Sequence, residues 1–307
     1  MNTIFAYMVN SAPKIMKNKA LERLICGLSL SLISLSLFSF TFPTIAPKDT
    51  TAAAGYKLRT VVVDAGHGRM TNGTWRGASG EYSQESKVTL AVALKLQAAI
   101  QKEIPDINVV MTRTDDNDVS LQQRAIIANE NKGQLFLSLH CNSLADKTVI
   151  SHGRRIHVPD RSGKGVLMVV YIYRRVGEQE AAIRENAFDD VDGKDNEPAA
   201  NDPISIILLN AFKDKYRKQS LLFANLINKE FVEHDGRRSE GVREESIHVL
   251  ANSGMPSVLV EMGYINNPEE EDYLNSEQGQ TEIVNTLVRA LKEYKQEVEQ
   301  TTDGNSN

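Results

Sequence analysis

Beyond Gly55 the chain alternates between short apolar runs and segments whose apolar residues recur at helical spacing. RTVVVDAG (59–66) is β-branched until it breaks into an acid, a small residue and a glycine, and it predicts a buried strand. SKVTLAVALKLQAAIQKEI follows, with Val88, Leu90, Val92, Leu94, Leu96 and Ile100 marking the buried face of a helix that Pro105 stops. INVVMTR (107–113) predicts a second strand. SLQQRAIIANENK predicts a helix capped by Ser120, with Leu121, Ala125, Ile126 and Ala128 as its stripe. GQLFLSLHCN (133–142) and KGVLMVVYIYRR (164–175) read as strands, SLLFANLINKEFVEH (220–234) as a core helix, SIHVLANS (246–253) and MPSVLVEMGYI (255–265) as two further strands, and QTEIVNTLVRALKEYKQEVEQ (280–300) as the closing helix. Apolar strands alternating with amphipathic helices predict an α/β fold, a single domain over 55–300 with a roughly six-stranded, mostly parallel twisted sheet flanked by helices.

Three stretches fall outside this rhythm. Residues 177–218 separate a strand from the next core helix by far more than a usual connection, and predict a partly helical insertion: a short helix followed by an acidic, turn-rich mobile loop. Residues 301–307 are polar and predict a disordered tail. Residues 1–54 differ in composition: Lys14, Lys17, Lys19 and Arg23 precede an uncharged stretch from Leu24 to Phe42, and small residues follow. This predicts a secretory signal peptide with a short linker, hence an exported protein of the periplasm or cell envelope. An uncleaved leader is the only membrane association expected. The formal net charge of -5, without a lysine- or arginine-rich run, argues against a nucleic-acid partner. Of two cysteines, Cys26 lies in the leader, so the exported part holds Cys141 alone and cannot form an internal disulfide.

In an open α/β sheet the strand carboxyl ends line the ligand crevice, which singles out the ionisable residues that end apolar runs. His67 follows VVVDAG, His140 follows LFLSL, and Glu261 follows PSVLV. Two histidines with a carboxylate match a catalytic zinc, whose borderline-soft ion takes imidazole and carboxylate and keeps one open position. Asp64, Glu81 and Glu85 are the candidates for the third ligand by spacing. Asp64, three residues before His67, fits better as a support of the site, and Glu85 opens a helix whose positive end favours a carboxylate. Gly66 and Gly68 suggest positive φ and close backbone approach.

VVVDAGHG, ESKVTLAVALKLQ, VVMTRTDD, SLQQRAIIAN, LFLSLHCN and MPSVLVEMGYINNPEEEDYL occur in order from about residue 58 to 295, and together they resemble the zinc-dependent N-acetylmuramoyl-L-alanine amidases of the amidase type 3 family. The resemblance implies one Zn2+ per chain on His67, Glu85 and His140, deciding against Glu81. It implies Glu261 as the catalytic glutamate, with Asp64 and Asn142 behind the ligands. Peptidoglycan would be the substrate, cut between N-acetylmuramic acid and the L-alanine of the stem peptide in wall remodelling or daughter-cell separation. Ala65, Thr89 and Cys141 depart from the family's usual residues without removing a ligand. A zinc peptidase cutting elsewhere in the stem, or an idle wall-binding protein, are the competing readings; Glu261 argues against the second.

AAIRENAFDD resembles the segment that, in division-associated members, forms a regulatory helix placing a glutamate on the zinc. Glu185 is the candidate autoinhibitory ligand, with Glu180 and Glu178 behind it, and autoinhibition implies an activator protein acting on the insertion. Cys141, adjacent to His140 on a strand, points to the opposite face and is expected buried and inert. His152 and His157 are expected exposed in the SHGRRIHVPDRSGKG loop, and Trp75 either lines the cleft or packs.

Overall fold

The apolar runs become sheet strands because full burial of each valine or leucine contributes about 1.5–3 kcal/mol. The computed structural model describes residues 56–172 and 203–303. Its strands are β1 (Thr60–Ala65), β2 (Asn108–Met111), β3 (Leu135–Asn142), β4 (Lys147–Ser151), β5 (Arg154–Val158), β6 (Val166–Tyr171), β7 (Ser239–Glu245) and β8 (Ser257–Tyr264). Six of them form one sheet in the order β2-β1-β3-β8-β6-β7. The first four run parallel; β6 is antiparallel to β8 and parallel to β7, so the sheet is mostly parallel with one reversed pair.

Its helices are α1 (Glu85–Glu103), α2 (Leu121–Glu130), α3 (Pro203–Lys229), α4 (His248–Ala251), α5 (Pro268–Asn275) and α6 (Glu277–Asp303). One sheet face, carrying Val61, Val63, Leu137 and Val260, packs against α1, α3 and α6 through residues such as Leu96, Phe223 and Leu287. The other, carrying Val62, Phe136, Leu167 and Leu259, packs against Ala128 of α2 and Val249–Ala251 of α4. Burial on both faces explains why β1 and β3 are continuous apolar runs rather than alternating ones. No helix among the described residues is long and apolar enough to cross a membrane.

Several expectations are corrected. SIHVLANS is not a strand: His248–Ala251 form one helical turn whose Val249, Leu250 and Ala251 are all buried, and a short apolar run does not by itself distinguish the two. The sheet's sixth strand is instead β7, SEGVREE, whose polar sequence suits an edge. The core helix expected from Ser220 begins at Pro203, so the last third of the predicted 177–218 insertion is the start of α3. There Leu209 is buried with Phe212 and Tyr216 against it, while the intervening lysines are good helix formers. The helix ends in one wide turn, Glu230–His234. The closing helix continues through residues 301–303, into the segment expected to be a disordered tail. The polar loop around His152 is a hairpin of β4 and β5. It turns at His152 and Gly153, both with positive φ (50° and 75°), as a tight two-residue turn requires. The leader and residues 177–202, including Glu178, Glu180 and Glu185, lie outside the described residues.

Candidate metal centre

The carboxyl ends of β1, β3 and β8 lie side by side, with Ala65 opposite Leu139 and His140 opposite Glu261. Just past β1 the chain turns through His67 at φ 60°. The left-handed region costs a non-glycine residue about 1–3 kcal/mol, so the surroundings must hold it. Two buried arginines do so. Arg124 donates to the carbonyls of Ala65 (2.6 Å) and His67 (2.7 Å), and Arg113 donates to those of Ala65 (2.8 Å) and Gly66 (2.9 Å) and to Ser86 of α1 (2.7 Å). Buried Asp64 neutralises Arg124 at 2.6 Å and also accepts from Thr112 and Ser138, each at 2.6 Å. Burial alone would raise the Asp64 pKa, but Arg124 and these hydroxyls more than reverse that and hold it below the usual carboxylate value. Asp64 therefore supports the site through Arg124 and the His67 backbone.

Glu85 is the first residue of α1, where an acid faces the positive end of the helix. Its Oε2 accepts from the Ala78 amide (2.6 Å) and its Oε1 from the Cys141 amide (2.9 Å). The same Oε1 lies 3.2 Å from His67 Nε2 and 3.0 Å from His140 Nδ1. Burial works to raise this carboxyl's pKa, but the two histidines outweigh it and drive the value far down. The imidazoles meet edge to face with centroids 4.7 Å apart. Glycines make the convergence possible by close approach rather than by positive φ at Gly66 or Gly68. A Cβ on Gly66 would come within 2.5 Å of the His140 ring, and one on Gly77 within 2.6 Å of both Glu85 and His67.

Among the described residues, His67, Glu85 and His140 form the group whose ligand atoms all lie within 4.8 Å of one another. Two imidazoles and a carboxylate on three separate elements, with solvent access at both histidines, are the donor set of an open zinc site. Beside it, the Oε2 of Glu261 is buried and has no hydrogen-bond partner among the described residues. Its pKa is pushed up to about 7 by burial, with Glu85 and Glu245 adding to the shift and His140 opposing it. The residues present therefore fit zinc.

The remaining candidates separate clearly. Glu81 is exposed and accepts from Arg161 (2.9 Å), away from the cluster. Asn142 accepts from Ser143 through its side chain (2.8 Å) and from Ile265 through its carbonyl (2.8 Å), holding the end of β3 to the segment after β8. Cys141 is buried on the face opposite His140, and burial raises its thiol pKa. Trp75 is half-buried beneath Lys87 and Arg69. Sequence reasoning missed Arg113 and Arg124, and also Glu271 of α5, whose carboxylate accepts the backbone amides of Glu81, Tyr82 and Ser83 at 2.8–2.9 Å and so fixes the loop entering α1. Arg124 sits in the same helical stripe as Ala125 and Ala128 and is buried, while Leu121, assigned to that stripe, is exposed.

A family model described as N-acetylmuramoyl-L-alanine amidase matches residues 61–293. The chain is 28% identical over 247 residues to the N-acetylmuramoyl-L-alanine amidase AmiA of Salmonella typhimurium, covering 80% of this chain and 79% of that one. It is 27% identical over 267 residues to YqiI of Bacillus subtilis, covering 87% and 96%. Among solved structures it is similar to the catalytic domain of CwlV, an N-acetylmuramoyl-L-alanine amidase from Bacillus (Paenibacillus) polymyxa var. colistinus, with TM-score 0.52 and 26% identity over 77% of this chain and 97% of that one.

Proposed function

The chain belongs to the N-acetylmuramoyl-L-alanine amidase family, and from that premise we propose that it is an exported, zinc-dependent peptidoglycan hydrolase. Its cut is the amide joining the lactyl group of N-acetylmuramic acid to the L-alanine of the stem peptide, in wall remodelling or daughter-cell separation. The observation that carries this reading is the convergence of His67, Glu85 and His140 beside the unpartnered Oε2 of Glu261.

His67, Glu85 and His140 would hold one Zn2+. The chemistry the ion supplies when bound is polarisation of the amide carbonyl and a lowering of the pKa of water toward ~7. Glu261 takes the proton from the attacking water at Oε2 and returns it to the leaving amine of L-alanine; proton transfer of this kind contributes about 10²–10⁴-fold. Arg124 and Arg113 keep the His67 backbone fixed, so its imidazole needs little reorganisation on meeting a ligand. The segment around Glu185 is read as a regulatory helix that an activator protein releases, on its resemblance to division-associated relatives.

The test is mass spectrometry of peptidoglycan digested by the purified protein with zinc and with a chelator. Stem peptides carrying a free L-alanine amino terminus, released only with zinc, are expected. Peptides cut elsewhere in the stem would replace the amidase reading with a peptidase one.

A further inference from the structure

One cavity of about 500 Å³ lies outside the metal cluster but on the same side of the sheet, lined by Leu144, Lys164, Arg238, Glu240, Arg243 and Tyr264 among others. Its position follows from two bulges. His140 pairs with Glu261, but Asn142 pairs with Tyr264, so β8 carries one extra residue there and Tyr264 emerges on the same face as Glu261. A second extra residue in β7, between Ser239 and Val242, leaves Arg243 opposite Val169, again on the Glu261 face, because Val169 and Leu167 share that face and Leu167 pairs with Glu261. Gly163 packs flat on the Tyr264 ring, where a Cβ would come within 2.3 Å, so the ring is fixed as a wall.

The lining is charged unequally. Glu240 is engaged by Arg243 and by the Tyr264 hydroxyl, and Lys164 is paired at the rim with Glu269. Arg238 is exposed, and among the described residues no carboxylate lies within ion-pair distance of it. With Lys164 and Arg243 each paired to a carboxylate, Arg238 is the cation left to favour an anion in the cavity, and the volume is that of a small-ligand site.

Tyr264 lies three residues beyond Glu261, but the bulge sets them against two residues of β3, so the two side chains are roughly 7 Å apart along the strand. An extended peptide advances about 3.3–3.6 Å per residue, so a stem peptide whose first amide is at Glu261 brings its second or third residue to the cavity. Resting on the amidase reading above, we propose that this cavity is a subsite that binds a carboxylate of the substrate's peptide arm, with Arg238 as its principal donor.

The experiment compares two N-acetylmuramoyl tripeptides, identical except that the carboxylates of the second and third residues are free in one and carboxamides in the other. The zinc-loaded protein is expected to favour the free acid by about tenfold in kcat/KM, mostly through KM, the scale of one charge-assisted hydrogen bond. Arg238→Ala, at an exposed position that the fold does not need, should bring the free acid down to the carboxamide rate and leave the carboxamide within twofold. Equal rates for the two substrates with the unaltered protein, or an equal loss on both with Arg238→Ala, would overturn the subsite. Calorimetric binding of both peptides keeps the two readings apart. Cleavage of neither peptide, with the same preference in Kd, would defeat the amidase reading and retain the subsite; cleavage of neither with equal Kd would defeat both.

Discussion

Glu261 holds a carboxyl oxygen away from water with no donor on it among the described residues, and its raised pKa of about 7 makes that a statement about stability as well as chemistry. Because the folded value lies above the ordinary carboxyl value, folding favours the protonated form. The stability it contributes is fully present below pH 4.5 and is lost as pH rises through 7. At about 1.4 kcal/mol per unit the loss is on the order of 3 kcal/mol. Metal-free Glu261→Gln should therefore melt with the metal-free wild type below pH 4.5 and above it at pH 8, and the zinc-loaded variant should turn over about 10²–10⁴-fold more slowly. Thermal melts in chelator across this range check the first part; a gap that does not change with pH would mean the carboxyl is not isolated. Arg124 gives the opposite case. Arg124→Met leaves Asp64 buried without its cation and releases the His67 carbonyl, so a loss of about 3–5 kcal/mol is expected. The milder Arg124→Lys should fold yet bind zinc about 10–100-fold more weakly, measured by competition with a chromophoric chelator. His67, His140 and Glu261 stood out in the sequence because each ends an apolar run, whereas Glu85 was chosen over Glu81 only through the family resemblance. Arg113 and Arg124 did not stand out, because an arginine reads as a surface residue unless the strand end above it is known.

At the scale of elements, legibility follows burial. The runs forming β1, β3, β6 and β8 are apolar because both sheet faces are covered, and each was found from its pattern alone. Strand β7 carries Glu240, Arg243, Glu244 and Glu245, and is held by its edge position and by the Arg217–Glu244 pair from α3 (2.6 and 2.9 Å), none of which leaves an apolar signature. The predicted count of six strands thus matched the sheet by exchange: α4 was taken as a strand and β7 was missed. Short α5 has a similar hidden role. Capped by Asn267, which accepts from the amides of Glu269 and Glu270 (3.0 and 3.2 Å), it carries Glu271 into the 81–83 loop. Gly80 is needed there, since a Cβ would come within 2.1 Å of that carboxylate. Glu271→Gln keeps the shape but turns an amide donor toward backbone donors, so a loss of about 1.5–3 kcal/mol is expected. Because the loop feeds into Glu85, zinc affinity should fall with it, whereas a change at exposed Glu277, at the start of α6, should move neither in parallel melts and chelator titrations.

For the whole molecule, a metal on His67, Glu85 and His140 would link elements at their tips: the turn after β1, the first residue of α1 and the end of β3. A ligand that binds only when these are in place stabilises the fold by mass action, about 2.7 kcal/mol at one hundred times Kd. For a domain of this size each kcal/mol moves the melting temperature by roughly 2–4 °C, so zinc should raise it by about 5–10 °C, and His67→Ala or Glu85→Ala should abolish the rise. The same measurement reaches the regulatory reading. If Glu185 completes the zinc coordination at rest, deleting residues 178–202, which ends before α3 begins at Pro203, removes one ligand. The zinc-induced rise should shrink while the basal rate of peptidoglycan digestion increases at least tenfold. A deletion that leaves both the zinc-induced rise and the digestion rate unchanged would show that this segment does not reach the metal, and that any control over the enzyme acts on the crevice from elsewhere.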